Sequence, residues 1–149
     1  MKLPLTIVLC ILFLTCNTIG KKNIENNLEK DNAIGSECMK IVLQRDQEFG
    51  EIRNHSSEQI SLSETIDLYT SSLKSLDYSN CPEKFTLAFD EHINAWLEIK
   101  LVSDKYPEFR GELHDLFNRL ENSKDSIEFK IQSKKIWDTW NIIEIMTKD

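Results

Sequence analysis

His92 is the side chain best placed to do chemistry. It stands in the run Phe85, Phe89, His92, Trp96 and Ile99, spaced four, three, four and three residues apart. That spacing puts it on the apolar stripe of a helix. Such a histidine can be an axial haem ligand or a metal ligand inside a bundle. It can also be a core histidine, hydrogen-bonded or stacked on Trp96, which is the simpler reading. Metal sites need several convergent ligands, and the sequence places none beside His92. The Cys-x-x-Cys-His signature of covalent haem attachment is absent. Neither His92 nor His114 has a glutamate three residues before it, since Phe89 and Gly111 hold those positions. The di-iron bundle motif is therefore absent as well. The expectation is a chain with no cofactor and no metal.

Trp96, Trp137 and Trp140 could line an apolar ligand pocket, although aromatics at helical spacing are usually core. His92, Trp96 and Trp140 are the candidates for holding such a ligand or a cofactor. Asp90, Glu91, Glu98 and Asp104 could supply acid and base groups. They lie mostly off the apolar stripe, where a solvated face is the plain reading. No Gly-rich phosphate loop, no Gly-x-Ser-x-Gly elbow and no His-Glu-x-x-His occurs. An enzyme is the least favoured class, and no catalytic residue is assigned.

The cysteines say more about where the chain works. Lys2 precedes an uncharged apolar run, Leu3 to Thr15. The run is too short to span a bilayer, which takes ~20 apolar residues, and has the length of a secretory h-region. Two cleavage sites compete within a signal sequence of about 1–20. Thr18-Ile19-Gly20 suits an ordinary signal peptidase, with Lys21-Lys22 beyond. Leu12-Phe13-Leu14-Thr15-Cys16 suits a loose lipobox, from which Thr15 departs, and would put a lipid on Cys16. Residues 21–32, rich in Asn, Lys and Glu, are expected to form a flexible tether. Removing the signal takes away Lys2 and no acid, so the formal charge of -7 becomes -8. An acidic chain has no electrostatic attraction to nucleic acid. A membrane enters only through a lipid on Cys16. The expected location is the periplasm, or a lipoprotein anchored in a bacterial envelope. Asn54-His55-Ser56 matches a glycosylation sequon, which matters only in a eukaryotic host, and the signal reads as bacterial. Two cysteines, Cys38 and Cys81, remain in an oxidising compartment, and a disulfide between them is expected.

Four Gly and three Pro in the whole chain, with apolar residues recurring at three and four, predict an all-α fold. Helix one is expected to begin after Asp31 or Asn32, with Ile34, Cys38, Ile41, Val42, Phe49 and Ile52 as its stripe and Arg45 interrupting it. Ser61-Leu62-Ser63-Glu64 fits a capping box opening helix two, followed by Leu62, Ile66, Tyr69, Leu73 and Leu76. Pro82 suits the first turn of helix three, which Pro107 closes near Tyr106. A short helix is expected around 108–121. The last helix, about Lys124 to Met146, carries Ile127, Ile131, Ile136, Trp137, Trp140, Ile143 and Ile145. Together residues 33–147 predict an up-down-up-down four-helix bundle with one extra short helix. In that topology the start of helix one and the link between helices two and three share an end, which brings Cys38 to Cys81.

Leu76-Asp77-Tyr78-Ser79-Asn80-Cys81-Pro82, followed by Phe85, Ala88-Phe89, His92-Ile93 and Ala95-Trp96, resembles a motif of an uncharacterised group of exported bacterial proteins. Thr139-Trp140 and Glu144 are similar to that group's C-terminal pattern. The likeness covers helices two, three and four and weakens between Ser103 and Lys124. It implies a small helical domain in the cell envelope and carries over no activity and no site residue. Three functions stay open, in this order: a module that binds another envelope protein, a carrier of haem, metal or an apolar ligand built on His92 and the tryptophans, and an enzyme.

Overall fold

The computed structural model describes residues 16–148, with side chains from 29 to 148. The apolar run of the signal sequence lies outside the described residues, as does the side chain of Cys16. The described residues form six helical segments: α1 Cys16–Ser56, α2 Leu62–Lys74, α3 Glu83–Glu98, the single turn α4 Lys100–Ser103, α5 Leu113–Glu121 and α6 Ser126–Thr147. The architecture is all-α.

The four long helices run up, down, up and down. Tyr69 meets Trp96 of α3, while Asp67 and Ser63 meet Lys100 and Asp104 in and just past the turn α4 that follows it, so α2 and α3 are antiparallel. His92 meets Thr139 while Glu98 meets Lys135, which makes α3 and α6 antiparallel. The α3–α6 interface is the most extensive, followed by α1–α2 and α2–α3, whereas α1 and α6 meet only sparsely. Phe85, Phe89 and Ile93 of α3 and Ile99 just after it are fully buried at the centre. Side chains of this size each contribute ~1.5–3 kcal/mol of transfer free energy.

The capping box acts as the sequence suggests, whereas Pro82 is the N-cap of α3 rather than part of its first turn, and α3 ends at Glu98, short of the stop expected near Tyr106. The Ser61 backbone N–H donates to the Glu64 carboxylate at 2.9 Å, and the Glu64 N–H donates to the Ser61 hydroxyl at 3.3 Å, closing the capping box. Pro82 caps α3 in an extended conformation. The extra short helix is present as α5, starting later than expected, at Leu113. Glu112 caps it, its carboxylate accepting from the N–H groups of His114 and Asp115. Residues 107–112 instead cross the α1–α2 link, held by Gly111 N–H to Ser57 O at 2.8 Å and Leu62 N–H to Phe109 O at 3.2 Å.

Cys38 and Cys81 form a disulfide with Cα atoms 5.1 Å apart, within the range a disulfide needs. It ties α1 to the α2–α3 link at the expected end of the bundle. One turn earlier Gly35 lies against Pro82. A Cβ at that position would stand 3.3 Å from Pro82 Cγ, so the glycine lets the helix approach the link closely.

Three expectations need correction. Helix one does not begin after Asp31 or Asn32 but takes in the stretch 21–32, expected as a flexible tether. That stretch is polar, yet it holds no Gly or Pro, and its Glu, Lys and Leu residues are good helix formers. Polarity alone does not stop a helix that continues into a packed one. On α1, Ile34, Ile41 and Ile52 are exposed; the buried line is Gly35, Cys38 and Val42, continued by the half-buried Asp46, Phe49 and Arg53. On α6, Ile136 and Ile143 are buried and Trp140 half-buried, but Ile127, Ile131, Trp137 and Ile145 are exposed. That helix buries Phe129, Gln132 and Ser133 instead, so its apolar residues are spread around its circumference.

Candidate functional site

The residues singled out from sequence meet where α3 faces α6 and α1. His92 is buried, 3% exposed. Trp96, one turn on, donates its indole N–H to His92 Nε2 at 3.2 Å. Indole is only a donor, so Nε2 must be unprotonated and the proton sits on Nδ1. Nδ1 lies 2.9 Å from Thr139 Oγ1, whose own hydroxyl proton is directed at the carbonyls of Lys135 and Ile136. The tautomer is thus fixed, and both ring nitrogens are engaged. Burial first, and the Arg53 cation second, push the His92 pKa down to about 4. Trp140 packs on the ring at 5.3 Å between centroids and donates its N–H to Glu144 at 2.9 Å.

A charged group stands beside this aromatic set that the sequence reading did not name. The Arg53 guanidinium lies 4.2 Å from the Trp96 ring centroid and 4.5 Å from that of Tyr69, a double cation–π contact. Tyr69 meets Trp96 edge to face at 5.3 Å and donates its hydroxyl to Asp46. Burial raises the Asp46 pKa, against the lowering effects of the Tyr69 hydrogen bond and of Arg53. Burial likewise lowers the pKa of Arg53. The missed signal was periodic: Cys38, Val42, Asp46, Phe49 and Arg53 repeat at four, four, three and four. Two charges on that line mark it as facing other polar groups.

Because α1 and α6 barely touch, the seam between them stays open. Beside His92 it holds a cavity of about 160 Å³ walled by Arg53, Tyr69, Trp96, Trp137 and Trp140 with Asp46 at its edge. Asp46 and Trp140 also belong to the next hollow along, about 390 Å³, bounded by Leu43, Gln47, Ile143, Glu144 and Thr147. The two make one groove with an aromatic end and an aliphatic end. Trp137 stands at its lip, 64% exposed.

The other sequence candidates fall outside the seam. Asp90 and Glu91 are exposed, Glu98 pairs with Lys135, and Asp104 pairs with Lys100 and accepts from Ser63. His114 is exposed and bonds to Glu112. Among the described residues no three His, Cys, Asp or Glu side chains converge to hold a metal. The seam offers shape, aromatic surface and one cation, which suits recognition of another molecule; a neutral histidine with both nitrogens engaged is poorly suited to proton transfer.

No protein-family model matches the chain, and neither do the curated proteins or the solved structures.

Proposed function

We propose that this chain is an exported cell-envelope binding module, and that it holds a segment of another envelope protein in the seam between α1 and α6. The observation that carries the proposal is the open groove itself. Four aromatic side chains and a stacked arginine border a surface that a closed bundle would bury. Aromatic residues and Arg are the side chains that dominate protein interfaces. The partner's contribution would be an apolar segment, and a basic side chain on it would meet Glu144 at the groove's edge and a protein of charge -8. The uncharged apolar run at the N-terminus supports export, and a lipid on Cys16 would keep the module at the membrane surface.

A ligand carrier built on His92 ranks second. A haem or metal would have to displace either Trp96 or Thr139 from the ring. An apolar small molecule could span the two hollows of the groove, but it would have to lie against the carboxylates of Asp46 and Glu144 that line it.

The test is purification from the native envelope of the wild type and of Trp137→Ser. Trp137 is mostly exposed, so the variant should keep its helical content and melting temperature. The wild type should co-purify with one stoichiometric protein, which the variant loses by at least ten-fold. Its intact mass should correspond to a start at Cys16 with lipid or just after Gly20. Equal recovery of that partner with both forms would count against the seam, and a mass including Met1 to Leu14 would count against export.

A further inference from the structure

The outward side of α6 carries a second surface that neither the core nor the seam uses. Ile127 is 78% exposed, Ile131 55%, Ile142 42% and Ile145 66%. Between the two isoleucine pairs lie Lys134 and Asp138, ion-paired with each other and both open to solvent. Spacings of four, three, four, four and three put all six residues on one face of the helix. Scattered exposed apolar residues are ordinary, but a line of four on one helix face is not.

The order of these residues is self-complementary. Rotating the helix by two-fold symmetry about a point near Ile136 places Ile127 opposite Ile145 and Lys134 opposite Asp138. Ile131 then falls opposite Asn141, one residue from Ile142. The outer isoleucines meet each other directly, the inner ones meet within one residue, and Lys134 and Asp138 each meet their opposite. This is the requirement for an isologous contact, in which one patch serves both partners. A parallel pairing would instead set Lys134 against Lys134 and Asp138 against Asp138, so the charges also select the antiparallel arrangement.

We infer that the chain forms an antiparallel two-fold dimer through the Ile127–Ile131–Lys134–Asp138–Ile142–Ile145 face of α6. The contact spans about 27 Å of helix. One helix face of that length buries less than the ~800 Å² per partner of a standard interface, the size class of weak and transient contacts. Each protomer keeps its α1–α6 seam on another side of the helix, so the assembly presents two seams and makes partner binding bivalent. The dimer does not depend on what the seam holds.

Sedimentation equilibrium of the purified exported chain, with Cys16 replaced by Ser to exclude a lipid, tests this. The wild type should show a monomer–dimer equilibrium. Lys134→Asp alone sets two aspartates against two aspartates, and Asp138→Lys alone sets lysines against lysines; each should weaken association at least ten-fold. Both substitutions sit at exposed positions and should leave the circular dichroism spectrum unchanged. Mixing the two variants restores opposite charges across the axis and should restore the dimer, as should the double charge swap within one chain. A wild type that stays monomeric at about 100 µM would overturn the inference, and so would single variants that dimerise as well as wild type, or a mixture that stays monomeric.

Discussion

At the scale of single residues, His92 fixes the chemical character of the site. Its ring receives a hydrogen bond from Trp96, faces Thr139 and is buried, with a pKa of about 4. An unperturbed histidine titrates near ~6.5. Between these values the unfolded chain carries a proton that the folded chain refuses. Stability is therefore highest above about pH 6.5 and declines as pH falls toward about 4. Asp46, raised by burial, works in the opposite sense and is common to any His92 variant. The stability advantage of wild type over His92→Gln should thus shrink by roughly 2–3 kcal/mol between about pH 7 and pH 4.5, read from urea denaturation. A difference that stays constant with pH would mean that His92 is not held neutral. The stripe of Phe85, Phe89, His92 and Trp96 was legible because one buried face repeats without interruption. Arg53 and Asp46 were not, because hydrophobic periodicity is blind to charged residues that bury themselves by pairing and stacking.

At the scale of elements, α1 depends most on a covalent tie. Residues 29–34 are exposed, and the first buried positions are Gly35 and Cys38. The disulfide closes a sequence separation of 43 residues, worth about 4 kcal/mol in the chain-entropy account. Replacing both cysteines by serine should cost roughly 2–4 kcal/mol in thermal unfolding. Amide exchange should rise first in α1 before Val42, while α3 and α6 stay protected. Unchanged exchange across α1 would show that the bond does not hold that helix. Helix positions and caps could be read because Ser61, Glu64 and Pro82 have one local meaning each. The faces of α1 and α6 could not. Ile34, Ile41 and Ile52 offered a line as apolar as the one that packs, and α6 has isoleucine or tryptophan on every side. When apolar residues surround a helix, tertiary contact decides which of them is buried. The excess left outside is what the α6 dimer would use.

At the scale of the whole molecule, an acidic bundle pinned by a disulfide closes its core between α2, α3 and α6 and leaves a seam open between α1 and α6. The bundle topology followed from the order of helices and their short links, and the cysteines agreed with it. The seam did not follow, since it arises from how sparsely α1 meets α6, a property of the packed chain that no single segment carries. The central claim is that this seam is where a partner binds, and site-specific photo-crosslinking in the native cell tests it most directly. A photoreactive residue at Gln47, on the α1 edge of the groove, should give one discrete adduct with another envelope protein. The same residue at Asn94, exposed on the outward side of α3, should give none. No adduct from Gln47, or the same adduct from both positions, would contradict the account.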